Sequence, residues 1–199
     1  MFDSLKMGLI LMIVAGVCTA FMAGTEMWTR EPIAQAKLQE TLLALKQNLP
    51  PGFDNNPVTD SVEMTDKRLH KKMRPVRIYR ASKGGEDIGA AFTVIAPDGY
   101  SGDIAIMIGL DKAGTVNSIK ILEHKETPGL GDKIVITDWP DKFKGKNLDN
   151  AKWAVKKDGG EFDQFAGATI TPRAVVNAVR RGLEFYKDNQ DKIFARSAP

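Results

Sequence analysis

One cysteine, Cys18, is all that the 199-residue chain contains, and this scarcity removes several kinds of protein at once. No internal disulfide can form, the thiolates for a protein-held iron–sulfur cluster are missing, and there is no C-x-x-C redox pair. Histidine is nearly as scarce. His70 and His124 stand far apart and outside metal-ligand spacing, so no zinc or iron site is expected. Any redox chemistry must therefore ride on an organic cofactor. A strong charge bias is also lacking: the net charge is only +3, too weak and too evenly spread for a nucleic-acid partner. Lysines do gather at Lys142, Lys144, Lys146, Lys152, Lys156 and Lys157, but Asp138, Asp141, Asp149 and Asp158 are interleaved with them, as on a solvated face. G-x-G-x-x-G after a strand and the Walker A string are both absent, and so are repeats and low-complexity tracts.

With 43% apolar and 27% charged residues, the chain suits one well-buried domain with something appended. The appendage is at the amino end. Met7 to Thr25 holds no charge and is bounded by Lys6 on one side and Glu26, Arg30 and Glu31 on the other. Nineteen helical residues rise about 28 Å, close to the hydrocarbon thickness of a bilayer. The run is longer than the apolar part of a cleaved signal peptide, and no A-x-A site follows it, so an uncleaved anchor is the preferred reading. A lipoprotein site at Cys18 is disfavoured by the bulky Val17 before it. The positive-inside rule does not orient the span, because Lys6 and the terminal amine are nearly balanced by Arg30 and Lys37.

Beyond Pro32, placed where a first helical turn tolerates proline, Ile33, Leu38, Leu42, Leu45 and Leu49 recur at helical spacing until Pro50-Pro51. The stretch 52–60 is turn-rich and reads as loop. Strands are expected from Val76, over Ile88–Ala96, Ile104–Leu110 and Val116–Leu122, the last two joined as a hairpin through Asp111-Lys112-Ala113-Gly114. Leu130 to Ala151 reads as a surface excursion with a short helix. Val175, Ala178, Val179, Gly182, Leu183 and Tyr186 then form the apolar stripe of a closing helix. The expected fold is α+β: an N-terminal transmembrane helix, then a compact domain with a mainly antiparallel sheet and flanking helices.

The stretch with chemical content is Asp163-Gln164-Phe165-Ala166-Gly167-Ala168-Thr169-Ile170-Thr171-Pro172-Arg173. Thr171-Pro172 reads as an N-cap and first-turn pair, which places Thr169 just before a helix whose free amides and positive dipole end favour an anion. Gly167 and Ala168 leave room beside it. A plain helix start with small residues before it explains the same pattern. A second block, His124-Lys125-Glu126-Thr127-Pro128-Gly129-Leu130-Gly131, ends the hairpin in a tight turn where two glycines let backbone approach a flat ligand.

Asp163-x-x-Ala166-Gly167-Ala168-Thr169 resembles the flavinylation motif D-x-x-(S/T)-G-A-(T/S) of FMN-binding domains, with Ala166 where the motif has Ser or Thr. Glu126-Thr127-Pro128-Gly129-Leu130-Gly131 resembles the E-T-P-G-L-G segment of RnfG-type components of Rnf complexes and of the related NqrC component of sodium-pumping quinone reductases. Together with Asp98-Gly99-Tyr100-Ser101-Gly102, these motifs span residues 98–178. The resemblance implies FMN esterified through its phosphate to Thr169, with Thr171 as fallback acceptor. It implies attachment from FAD by a flavin transferase outside the cytoplasm. Gly167, Ala168, Glu126, Thr127, Gly129 and Leu130 are then the expected cofactor contacts, while His124 is either a contact or a strand-end structural residue. Lys133 and Trp153 are weaker candidates.

The implied layout is a membrane anchor over 1–30, an amphipathic helix and linking region over 31–84, an FMN-binding domain over 85–190 and a C-terminal tail over 191–199. Length favours an Rnf-type component over NqrC. The implied role is electron transfer between ferredoxin oxidation and NAD reduction, coupled to sodium or proton movement. The partners are the other membrane subunits, and the soluble domain is placed on the periplasmic side of the inner membrane. Two competing readings are an NqrC-like component and an anchored sensor or assembly module that keeps the fold without the flavin.

Overall fold

The computed structural model describes residues 2–195, with the side chains of residues 2–5, Ala34, Lys37, Leu38 and Glu40 excepted. Two compact units divide between Leu43 and Ala44.

The first element is helix α1 (Phe2–Asn48), built around the uncharged run Met7 to Thr25. Within its stretch Lys6–Ile33 an 18-residue window reaches a mean hydropathy of 2.2, so this part is long and apolar enough to cross a membrane. The hydroxyls of Thr19, Thr25 and Thr29 donate to the carbonyls of Ala15, Phe21 and Thr25 one turn back, so each is satisfied within the helix itself. The sequence suggests a fresh helix at Pro32, but α1 runs through it. Proline fixes φ in the helical range and removes a single N–H, so a helix strongly favoured on both sides continues past it with one bond fewer. The stripe expected from Ile33 to Leu49 is buried only at its end. Leu45 and Leu49 are core residues, whereas Ile33 is exposed, and the side chain of Leu38 lies outside the described residues.

In the second unit, β1 (Ser61–Met64), β2 (Val76–Lys83), β3 (Glu86–Ala96), β4 (Ile104–Asp111) and β5 (Val116–Glu123) form one antiparallel sheet in chain order. The β4–β5 hairpin is the expected one. Strand β1 is an addition, too short and too polar in sequence to show alternation, and it closes the sheet beside β2.

Both sheet faces are covered. Helix α2 (Lys133–Ile136) is a single turn, and the long closing helix is α3 (Ile170–Phe194). On one face lies α3, whose expected stripe is buried in full against Phe92, Val94 and Ile108. The Phe92 ring lies 5.7 Å from that of Phe185 and 6.4 Å from that of Tyr186. The other face takes the end of α1, where Ala44, Leu45 and Leu49 pack with Ala81, Ala91 and Met107. Asn117 Nδ2 donates to the carbonyls of Asn48 and Leu49 at 2.8 and 3.0 Å, supplying partners that a helix end lacks. This helix end rests directly on Gly109, where a Cβ would lie 1.8 Å from the Asn48 carbonyl oxygen.

The stretch expected as a surface excursion is more deeply packed than its charge and glycine content suggest. Helix α2 and the 3-10 turn Trp139–Phe143 bury Ile134, Trp139 and Phe143. Trp153, Phe162 and Phe165 complete an aromatic cluster around these rings. Aromatics spaced through polar sequence give no periodic signal, which is why the cluster is invisible until the chain folds back. At the carboxyl end α3 remains helical to Phe194, and residues 196–199 of the expected tail lie outside the described residues.

Gly109→Ala forces a methyl group into backbone, and overpacking of this kind costs about 1–3 kcal/mol. A lowered midpoint in thermal unfolding of the detergent-solubilised full chain is the expected outcome, and an unchanged midpoint contradicts the close approach of Asn48 to the sheet.

Candidate functional site

Three segments far apart in sequence meet at one end of the sheet: the β3–β4 turn, the turn after β5, and the approach to α3. They enclose a cavity of about 270 Å³. Glu126 ties them together. It is only 5% exposed; its Oε1 accepts from the Ser101 amide at 3.1 Å, and its Oε2 accepts from the Thr171 hydroxyl. A buried carboxylate requires such donors, because an unmet one carries a large desolvation cost. The pair is packed so closely that a Cβ at Gly131 would lie 2.7 Å from Glu126 Oε2 and 2.8 Å from Thr171 Oγ1.

The turn after β5 is closed by the amides of Leu130 and Gly131 donating to the Thr127 carbonyl at 3.2 and 3.1 Å. His124 Nδ1 accepts the Glu126 amide at 3.2 Å. On the opposite wall the Ala168 amide donates to the Phe165 carbonyl at 3.0 Å, a tight turn in which Gly167 has φ +78°. A side chain at that φ is strained, which is the local reason for glycine there.

The helix that follows begins at Ile170, with Thr169 as N-cap in a helical conformation and without a side-chain capping bond. The expectation for Thr171 is thereby corrected. It is not the cap but the second helical residue, 1% exposed, with its hydroxyl committed to Glu126. Proline is as welcome at the third helical position as at the first, so Thr-Pro alone does not fix the start. The competing carboxylate sits 45 residues away in sequence. Both threonines line the cavity but differ sharply: Thr169 is half-buried, and Thr171 is almost wholly buried with its hydroxyl bound to Glu126.

Of the expected site residues, Glu126, Thr127, Leu130, Gly167, Ala168 and Thr169 lie on the cavity wall. His124 and Gly129 stand outside it and shape the turn, Gly129 with φ +76°. Trp153 belongs to the aromatic cluster, and Lys133 opens α2. Tyr100, Gly131 and Ile170, to which the sequence reading assigns no contact, and Thr171, its fallback acceptor, complete the wall. Tyr100 does carry a signal: a large aromatic in a glycine-flanked turn, here 69% exposed.

Asp163 lies beyond the wall and holds the approach loop. Its carbonyl accepts from Trp139 Nε1 at 2.8 Å, and its carboxylate pairs with Lys142 and Lys156. Hydrogen bonds from Lys142 first, then Lys156, hold its carboxyl below the usual range. Arg173, paired with Asp158 at 2.6 Å, pins the first turn of α3 from outside.

The chemistry available is thus a free alcohol on Thr169, first-turn amides of Ile170 and Thr171 for which a helix provides no carbonyl partner, and an apolar rim of Tyr100, Leu130 and Ile170. A phosphate ester with a flat aromatic group attached fits that set: the anion meets helix amides and the ring meets the rim.

Comparison with known proteins bears directly on this geometry. Residues 99–184 match the FMN-binding domain family model, and residues 3–47 match the model of the RnfG N-terminal region. The G subunit of the ion-translocating oxidoreductase complex from Aliivibrio fischeri is 45% identical over 194 residues, covering 94% of this chain and 92% of that protein. Its counterpart from Pseudoalteromonas atlantica is also 45% identical, over 96% of this chain and 92% of the relative. Among solved structures, the crystal structure of Shewanella oneidensis NqrC aligns with a TM-score of 0.49 and 23% identity over 75% of this chain and 73% of that one. With whole-length identity at this level and both family models matched in order, the chain belongs to the RnfG family, the G subunits of the ion-translocating oxidoreductase complex.

Proposed function

We propose that this chain carries one FMN, esterified through its phosphate to Thr169, and passes electrons as the anchored flavoprotein component of an Rnf-type ferredoxin:NAD oxidoreductase coupled to ion movement. The observation that carries the reading is the contrast between two threonine hydroxyls: Thr169 faces the cavity with no capping duty, and Thr171 is buried against Glu126. Membership of the RnfG family supports the Rnf context over the NqrC-like alternative.

In the attachment step the Thr169 oxygen forms a bond to the FMN phosphorus of FAD. The pyrophosphate bond breaks, AMP leaves, and the hydroxyl proton passes to a base of the flavin transferase. Bound FMN supplies one- and two-electron transfer. The remaining tasks belong to this chain. The amides of Ile170 and Thr171 donate toward the phosphodiester, with the helix dipole favouring its charge. Tyr100, Leu130 and Ile170 offer apolar surface to the ring, and Glu126 keeps the three wall segments in register. Gly167 and Ala168 leave the phosphate unobstructed. Ala166, which departs from the motif, is exposed, and the turn beside it is closed by backbone alone through Ala168 and Phe165. The tether holds the flavin at high effective concentration beside an open cavity.

The span Lys6–Ile33 anchors the chain once in the inner membrane, with the second unit on the periplasmic side among the other membrane subunits. In that arrangement the flavin transferase reaches Thr169 outside the cytoplasm.

Co-expression with a flavin transferase followed by denaturing electrophoresis is the direct test. Wild type is expected to keep flavin fluorescence in the protein band, Thr169→Ala to lose it entirely, and Thr171→Ala to keep it. The last variant leaves the Glu126 carboxylate short of a donor, so its stability falls by about 1–3 kcal/mol. A fluorescent Thr169→Ala band removes the acceptor assignment.

Protease added to sealed inverted vesicles is expected to leave the second unit intact, and added to spheroplasts to digest it. Digestion in inverted vesicles contradicts periplasmic placement.

A further inference from the structure

The cations of the second unit fall into two groups with different fates. From Lys67 to Gly85 the chain has eight lysines and arginines and no acidic residue. Arginines at the strands and at the loop base are neutralised: Arg68 by Asp66 and Asp188, Arg77 by Glu63, and Arg80 by Asp60. In the β1–β2 loop, Lys67, Lys71, Lys72 and Arg74 are all exposed, and none forms an ion pair among the described residues.

This loop is well anchored beneath its charge. Leu69 is wholly buried and its carbonyl accepts the Ile95 amide at 2.8 Å, while Arg68 lies 5.6 Å over the Phe185 ring. At the tip the Met73 amide donates to the His70 carbonyl at 2.8 Å and the Lys72 amide to His70 Nδ1 at 3.1 Å. These bonds hold Met73 at φ +52°, a left-handed conformation unusual for a side-chain-bearing residue, with the side chain 45% exposed. Because β2 and β3 run antiparallel with Ile78 opposite Phe92, this loop shares an end of the sheet with the β3–β4 turn that carries Tyr100.

We propose that the β1–β2 loop docks on anionic phospholipid headgroups, with Lys67, Lys71, Lys72 and Arg74 meeting lipid phosphates and Met73 entering the interface. Three observations favour a lipid surface over an acidic protein. Three of the four free cations are lysines, point charges suited to phosphates that move, whereas protein interfaces are depleted in lysine and enriched in arginine. The group is spread along a loop without the fixed partners of a directional site, and an apolar residue sits at its tip, the combination that binds charged bilayers. A span-capable helix in the same chain keeps the loop at high effective concentration near a membrane. The inference rests on the membrane-anchored part of the proposed function and is independent of the flavin ester.

The test uses the full chain with Cys18→Ser and Met73→Cys, labelled at residue 73 with a solvent-sensitive fluorophore and reconstituted in lipid nanodiscs. Acrylamide quenching is expected to be about threefold weaker with phosphatidylglycerol present than with phosphatidylcholine alone, a difference erased by high salt. Adding Lys71→Glu, Lys72→Glu and Arg74→Glu abolishes the protection, whereas the equal charge change at Lys144, Lys152 and Lys157 leaves it intact. Equal quenching in the two lipids overturns the proposal, as does protection that appears only when other subunits of the complex are added. A chain that fails to stay with the discs sinks the anchor reading and this proposal together, while a retained but equally quenched chain sinks this proposal alone.

Discussion

A single carboxylate organises the functional end of this molecule. Glu126 is buried where three segments converge, and each of its oxygens takes a donor from a different one, the Ser101 amide of the β3–β4 turn and the Thr171 hydroxyl at the start of α3. Burying that charge costs several kcal/mol unless donors meet it, so the arrangement holds as a set or fails as one. Space for it is made on both sides. A Cβ at Gly99 would lie 2.9 Å from Oε1, and one at Gly131 would lie 2.7 Å from Oε2. The consequence reaches the helix start: with Thr171 drawn into the carboxylate, the N-cap position falls to Thr169, whose hydroxyl makes no capping bond and is left at the cavity.

The rest of the second unit makes that convergence possible. The sheet is covered on both faces, and the end of β3, the start of β4 and the end of β5 lie side by side and lead into the cavity-lining turns. Helix α3 must reach the cavity with its first turn while its stripe lies on the sheet, and 25 residues of helix achieve both. The aromatic cluster around Phe143 then fixes the approach to α3 from the side, because Phe165 packs on Trp139 at 5.6 Å and Asp163 accepts from the same indole. The motif residues are therefore placed by packing on either side of them.

Much of the fold and the site is legible in sequence, and the failures share a cause. The α3 stripe, the β4–β5 hairpin and the apolar span follow from periodicity and turn chemistry, which act over a few residues. Six of the eight expected site residues lie on the cavity wall, because glycine-rich turns at strand and helix ends are local signals too. What escapes is set at long range. Thr171 reads as a cap because its rival partner is remote in sequence, β1 becomes a strand only beside β2, and the buried aromatics of 134–165 are scattered among charges. Charge divides the same way. Between Lys142 and Lys157 three lysines form ion pairs, with Asp163 and Glu161 rather than with the acids interleaved among them. The acid-free run from Lys67 gives no sign of its pairing either, because only after folding do Arg68, Arg77 and Arg80 find acids, while Arg74 and the loop lysines find none among the described residues.

The shape of the cavity bears on the proposed covalent bond. Sites that retain a ligand by contact alone enclose about 70–90% of its surface within roughly 300–1,000 Å³. Here the space is about 270 Å³, and the lips, Thr127, Leu130, Gly167 and Ile170, are not sealed by other segments. Closing such a site further would bury an electron carrier away from the partners it must reach. The proposed ester at the helix start would remove that conflict: retention would pass to one bond at Thr169, and the wall would be left to orient the ring and set its surroundings. The same logic explains the economy of polar groups at the rim. Glu126 commits its hydrogen bonds to architecture, the lysines near Asp163 hold the approach loop, and the first-turn amides of Ile170 and Thr171 are left without a helix carbonyl partner.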